Sequence, residues 1–510
     1  MSRRWALALL LLAAACGHRG KRAAQPDLQV VGESTKLRRG DPLPASSPFF
    51  DGKTVSLRAV RGETLGVQVL VRAPADVTLT IGGDGVAVQP FTVGYVRVRE
   101  PSSRMYGPSR GSGDYPDRLD PTTAPVHAQP AAYFDVAVAA IAAPGDRTGT
   151  LTVGDRRFPV TLSIAPVAID VSESPLVWVW YSAAEVARAH GMADDDSAAE
   201  LAIERRYVDL FRAHGAYLMN DPSPERFAAR KSLFDPAARY WPVWIHTDDH
   251  AAMARDVSRW VDIFRDLPQI PFVIPVDEPH GATARARVVA NGRVIRDAGG
   301  GWPHLLHAVT DRWRPSYGDD VDVFISPRSV PPPRGVRRGD GRPLSFWTYN
   351  GRPPRAGSMV IDTDGVALRT WGWIGERYDL ELWYAWEGLY FTDRYNGADA
   401  PTDLMATPIT FDQRRKGGAD WGNGDGLLAY PDAVPSLRLE ALRRGLEDRL
   451  LLRKLAACGG GGEAAGMVRA MIPRALAEGR GAAAWPSDEA VWETARRTLI
   501  DRIALRCGHE

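Results

Sequence analysis

The sequence predicts two parts in series: an N-terminal β-sandwich, then a (β/α)8 TIM-like barrel with a short C-terminal helical extension. Three observations predict it. Between residues 27 and 170 the periodic segments alternate as strands do, and clusters of Gly, Pro and Asp separate them. From residue 171 short apolar runs and helical patterns follow one another in repeated strand–helix order. Tryptophan changes with them: none lies in 27–170, whereas 13 of the 16 lie between Trp178 and Trp421, so the second part is built from different material.

Composition narrows the function classes. The 510 residues suffice for two or three domains, and 45% hydrophobic with 25% charged residues is ordinary for a soluble globular chain. A formal net charge of +1 gives no broad field to attract nucleic acid or an acidic membrane, which points to an uncharged partner. The ten histidines show no HExxH or paired ligand spacing, so no metal is expected. No GxSxG and no phosphate loop in the right context appear either, so no cofactor is expected.

The leader comes first. Arg3 and Arg4 precede an apolar run that ends in Ala13-Ala14-Ala15 before Cys16. Basic, then apolar, then small is a secretion signal, here 1–15. A cysteine directly after it resembles the bacterial lipoprotein signal, which implies cleavage before Cys16 and lipid on its sulfur. Gly17, where an aspartate would retain the protein, implies export to the outer membrane, facing the periplasm or the exterior. Residues 16–26 are then a tether, and the protein works in water while lipid holds it to the membrane.

In the sandwich, 27–170, strands are predicted at 64–72, 77–81, 95–99 and 160–164. Residues 101–130, rich in Pro, Gly, Ser and Asp, read as one long loop. The barrel, 171–456, has strand candidates at 176–181, 216–219, 241–246, 272–276, 304–309, 321–325, 345–349 and 380–386. The clearest helices are 198–214, 250–266 and 283–297. After the last strand, 421–431 is dense in turn residues, and Ser436 caps a helix. Leu442, Leu446 and Leu450 give that helix a core-facing stripe, while Glu440 and Arg444 read as a modest surface pair. Gly459–Gly462 breaks the chain, and 457–510 holds two short helices. Cys458 and Cys507 flank that segment; joined in an oxidising compartment they would add ~3–4 kcal/mol by loop closure.

The chemical centre is 271–280, PFVIPVDEPH. An apolar run bounded by proline fits a strand buried on both faces. Two carboxylates at its end, Asp277 and Glu278, are costly unless they meet water or a substrate. Pro279 keeps Glu278 extended, so no helix begins on the acids. After the fourth strand of a parallel barrel this is the C-terminal rim, where catalytic groups gather. The pair reads as the centre of a sugar hydrolase. Neighbouring strand residues face opposite sides, so both acids meet one sugar only if the backbone turns there.

Indoles support the carbohydrate reading, because flat rings stack on sugar C–H faces. Trp178, Trp180, Trp244, Trp347, Trp383 and Trp386 lie in or near strand candidates, with Tyr181, Tyr349 and Tyr384. Trp347, Trp383 and Trp386 are candidate sugar walls. Asn220, His246 and Glu387 stand at other strand ends as candidate hydroxyl ligands.

With those residues in hand, the chain resembles glycoside hydrolase family 123 and its allied bacterial proteins. The likeness is carried by GDGLLAYPDAVPSLRLEALRRGLED (424–448), Arg61-Gly62-Glu63 with Gln68, Tyr115-Pro116-Asp117, Gly149-Thr150 and Asp277-Glu278-Pro279. It implies a sandwich followed by a barrel. It also implies a retaining β-N-acetylgalactosaminidase whose substrate's own 2-acetamido group is the nucleophile. Asp277 would orient the acetamido N–H, and Glu278, starting protonated, would serve as acid and then base. Tyr349, in FWTYN, would hydrogen-bond the acetamido carbonyl. The sequence departs from the family at Tyr133-Phe134-Asp135, where a tryptophan is common, and at 393–417, which looks compressed. Two other readings stay open: a non-catalytic, lipid-anchored glycan-binding protein, and a hydrolase using Glu387 as a conventional nucleophile.

Overall fold

The computed structural model describes residues 26–173, 176–300, 305–328, 330–332, 335–339, 341–353, 355–392, 394 and 402–507. The leader, Cys16 and the tether up to residue 25 lie outside them.

Ten strands form the first part: β1 (Leu28–Gly32), β2 (Val55–Arg61), β3 (Thr64–Val71), β4 (Ala75–Ile81), β5 (Val86–Val98), β6 (Gly113–Pro121), β7 (Val126–Ala128), β8 (Ala131–Val138), β9 (Gly145–Val153) and β10 (Arg156–Ala168). They make two five-stranded sheets, ordered β1-β3-β8-β5-β6 and β2-β10-β9-β4-β7. Val30, Val67, Val69, Leu57, Leu79 and Leu162 belong to one buried cluster drawn from both sheets. The expected long loop at 101–130 is corrected here, because it contains β6 and β7. Its prolines and aspartates read as turn signals, yet β6 is an edge strand paired only to β5, and an edge tolerates residues that a central strand does not.

Eight parallel strands follow: β11 (Val177–Trp180), β12 (Ala216–Met219), β13 (Tyr240–Pro242), β14 (Ile270–Val273), β15 (Leu306–Val309), β16 (Val323–Ile325), β17 (Ser345–Tyr349) and β18 (Trp383–Ala385). Their order is β12-β11-β18-β17-β16-β15-β14-β13, a nearly closed barrel whose two end strands are β12 and β13. The helices in this part are α1 (Ala183–Ala189), α2 (Ala198–Ala213), α3 (Phe227–Arg230), α4 (His250–Phe264), α5 (Gly281–Gly299) and α6 (Thr370–Arg377). Asp249 caps α4 and Ser197 caps α2, each accepting from first-turn amides. The regular (β/α)8 alternation is not kept. Among the described residues one 3-10 turn, Pro315–Tyr317, joins β15 to β16, and no helix joins β16 to β17.

Aromatic rings fill the barrel. Phe272 meets Trp178 at 4.9 Å and Trp347 at 5.1 Å, both edge to face, and Tyr240 packs on Trp347 at 4.9 Å. Trp383 points the other way and stacks on Trp371 of α6 at 4.5 Å. Trp347 and Trp383 are therefore core residues, which corrects their expected place on a sugar wall.

Three helices close the chain: α7 (Leu437–Leu455), α8 (Gly461–Met471) and α9 (Glu489–Cys507). Cys458 and Cys507 are bonded, with Cα atoms 5.9 Å apart. Ser436 caps α7 as expected, accepting from the Leu439 amide. The predicted surface pair is corrected: Glu440 and Arg444 are both buried, because the sandwich covers the charged side of α7.

That seam is held by charge. Arg444 meets Glu63 of the sandwich, Glu33 at 3.0 Å and Glu493 of α9 at 3.0 Å. Arg496 also meets Glu63, and Arg369 meets Asp448 at 2.8 Å and Glu493 at 2.6 Å. Burial alone pushes Glu493 up, but Arg444, Arg369 and Arg496 outweigh it and hold the carboxyl below its ordinary range. Nearby, Asp117 accepts from Arg438 at 2.8 Å and from Tyr430 at 2.6 Å. Arg444→Met leaves several buried carboxylates without their cation. It is expected to lower the unfolding free energy by about 3–5 kcal/mol, read by urea denaturation. A loss under about 1 kcal/mol would show that the seam does not depend on this arginine.

Candidate active site

β14 ends at Val273, and the chain turns before the acids arrive. Glu278, expected to be extended before Pro279, instead has φ of 40°, a left-handed conformation uncommon outside glycine. The turn lets two sequence neighbours serve one opening, which strict strand alternation would forbid.

Thr310, one residue past β15, ties the corner together. Its hydroxyl donates to Asp277 Oδ1 at 2.6 Å and accepts from the Glu278 amide at 2.5 Å. Tyr349, the last residue of β17, donates to Glu278 Oε1 at 2.6 Å. In the structure Tyr349 holds a carboxylate, where the expected partner was an acetamido carbonyl. His280 is 86% exposed, with its Nε2 3.9 Å from Glu278 Oε2.

Asp277 keeps an open edge to solvent, yet its carboxyl sits in a concave mouth. Protein packed around it raises its pKa above the ordinary aspartate value; the Thr310 hydroxyl opposes this, and the Glu278 charge adds to it. Its surroundings thus push Asp277 toward protonation, whereas the resemblance has it charged as it orients the acetamido N–H.

Beside the pair is a cavity of about 280 Å³. Asp277 lines it together with Trp178, Trp180, Asp221, Tyr384 and Trp386, and the ends of β13 and β14 complete it. Strand parity explains the set. Trp178 and Trp180 share one face of β11, and Tyr384 and Trp386 share one face at β18. Tyr384 stacks on Trp178 at 4.4 Å. Trp386 donates to Asp425 at 3.2 Å, and Tyr106, from the sandwich, donates to the same carboxylate at 2.6 Å. Gly426, at φ of 74°, lies so close that an added Cβ would stand 2.8 Å from the Trp386 ring.

The other expected ligands are placed elsewhere. Glu387 is fully buried, accepts the Gly388 and Leu389 amides at 3.0 Å and pairs with Arg394, so it faces neither sugar nor water. Asn220 is buried, and its amide oxygen accepts from Arg230 Nε and Nη2, both at 3.1 Å. Its neighbour Asp221 takes the cavity position. His246 is exposed at the rim, held by Asp256 at 2.7 Å and against Trp244 at 4.7 Å, and is not among the cavity's lining residues. Sequence reasoning missed Asp221 and Thr310. Asp221 carried a readable signal, a carboxylate just past a strand, but choosing between residues 220 and 221 needs the strand's end. A group of carboxylates at Asp194, Asp196 and Glu200 could share a cation, but Arg226 and Arg230 already pair with it.

No protein-family model matches the chain, and no curated protein matches it. Among solved structures, a family 123 glycoside hydrolase from Clostridium perfringens, described for glycolipid glycan hydrolysis, has a TM-score of 0.62 at 11% identity. The match covers 93% of this chain and 97% of that one. An FMN-binding β-glucuronidase from Facaelibacterium prausnitzii covers 75% of this chain and 59% of its own at 10% identity, but its TM-score of 0.29 carries no argument. The chain therefore shares the overall architecture of a family 123 glycoside hydrolase.

Proposed function

We propose that the protein is a retaining glycoside hydrolase acting on a β-linked N-acetylhexosamine, N-acetylgalactosamine-like, by substrate assistance. The observation that carries the reading is the turned Asp277–Glu278 corner beside an indole-lined cavity on a fold shared with a family 123 hydrolase.

The acetamido carbonyl oxygen of the bound sugar attacks its own C1 as the C1–O bond to the leaving group breaks. Glu278 gives its proton to that departing oxygen. Asp277, charged, accepts the acetamido N–H and stabilises the positive charge that grows on the ring so formed. Glu278, now a carboxylate, takes a proton from water, which attacks C1 and reopens the ring with the original configuration. Tyr349 fixes Glu278, and Thr310 fixes both acids relative to each other. The sequence reading of 1–26 completes the proposal: an exported enzyme anchored by lipid at Cys16, its catalytic part in water.

Purified protein from residue 24 onward is expected to release the phenol from an aryl β-N-acetylgalactosaminide and to be inhibited by a thiazoline mimic of the cyclic intermediate. Glu278→Gln should lower kcat by about 10³-fold or more while sugar affinity stays within severalfold. No turnover across a panel of N-acetylhexosaminides, with glycan binding intact, would replace the enzyme by a binding protein.

Thr310→Val tests the corner by its pH dependence. The hydroxyl favours the charged form of Asp277, so its removal raises the Asp277 pKa further. Activity that needs charged Asp277 is lost as pH falls through that pKa. The acidic limb of the kcat/KM profile should therefore move to higher pH in the variant. An unmoved limb would separate Asp277 from the titration that controls the rate.

A further inference from the structure

The mechanism leaves one carboxyl of the cavity unused. Asp221 lies just past β12, two residues after Met219, and lines the cavity from the side of β11 and β12. Its Oδ1 accepts from Trp180 Nε1 at 2.6 Å, which fixes the carboxyl's orientation. Among the described residues no other side-chain partner is found for it, so acceptor positions remain free toward the cavity. Tyr384, whose phenol burial pushes up first and the Asp277 and Asp221 charges push up next, stands near both acids. Asp277 enters the same hollow from the turn after β14, so the two acids reach it from different elements.

Beyond Trp180, the Asp221 carboxylate meets side-chain donors only if a ligand brings them. The hollow holds about one sugar ring, with indole and phenol rings on its sides. A ring whose C1 is at Asp277 presents its remaining hydroxyls to the other lining groups, Asp221 among them. We propose that Asp221 is the specificity-determining residue of this site, accepting hydrogen bonds from the hydroxyls on the edge of the sugar remote from the bond being cut. The cavity then takes a terminal residue of a glycan, not an internal one, because a further sugar on those hydroxyls would displace the hydrogen bonds. The inference rests on the hydrolase reading for the ring's direction.

The test pairs substitutions with deleted hydroxyls. Aryl N-acetylhexosaminides lacking single hydroxyls at C3, C4 or C6 are compared on the wild-type protein, Asp221→Ala and Asp221→Asn. Asparagine can still accept from Trp180, so it controls for folding, together with thermal melting. Asp221→Ala is expected to lower kcat/KM tenfold to hundredfold, mainly through KM. At least one deoxy substrate should suffer a similar loss on the wild type and less than a twofold further loss on Asp221→Ala. Full losses in both proteins for every deoxy substrate, or no loss on the wild type for any, would overturn the role. The wild-type half of that comparison needs no variant: indifference to every deleted hydroxyl overturns the role even if the variants fail to fold. Calorimetric titration with methyl β-N-acetylgalactosaminide separates the two proposals. Absent turnover with Asp221-dependent binding ends the hydrolase reading and keeps Asp221 as a sugar ligand; no binding by the wild type ends both.

Discussion

Three guanidinium groups, Arg369, Arg444 and Arg496, stand between the sandwich and the barrel with almost no access to water. Removing such a charge from water costs several kcal/mol, and only a facing carboxylate with further hydrogen bonds offsets it. Net stability gained over apolar packing is small. What the network imposes is a penalty on any arrangement that leaves one charge unmatched. Glu63 from the sandwich, Asp448 from α7 and Glu493 from α9 must converge for all three arginines to be paired. The seam therefore closes in one register, and the rest of the molecule inherits it.

That register reaches the cavity through a short chain of contacts. Tyr106 of the sandwich and Trp386 of the barrel share Asp425. Asp425 lies between Gly424 and Gly426, both at positive φ, and Arg438 binds the Gly424 carbonyl while pairing with Asp117 of the sandwich. A side chain at 426 would press on the Trp386 ring. The segment from Gly424 to Arg438 thus helps build the junction that orients one indole. The Asp277–Glu278 pair lies apart from that junction, beside the cavity.

The corner sets two adjacent acids in different surroundings. Asp277 is exposed at the mouth, yet the protein packed around its carboxyl pushes it toward the neutral form, while Glu278 is tethered by Tyr349 with its side chain 40% exposed. Beneath them Trp178, Phe272 and Trp347 form a rigid aromatic floor, so positions at the rim are set by packing and not by loop choice.

The sequence by itself determined the order and type of the elements. Apolar runs bounded by proline and glycine mark the strands, and strands at 216–219 and 345–349 fall where period and composition put them. The acids beyond the end of β14 stood out as candidates because charges that follow a buried run are costly unless they meet water or a ligand. Side-chain direction was legible only in part. Parity joins Tyr384 to Trp386 and separates Trp383 and Glu387 from them, but which face turns inward depends on how the sheet closes. The tertiary structure alone decided three things: that the charged side of α7 is covered by the sandwich, that Tyr349 binds an acid, and that Asp221 and not Asn220 reaches the cavity. Each of these is a contact between segments far apart in the chain, and local periodicity holds no information about which distant surface will come to cover a given face.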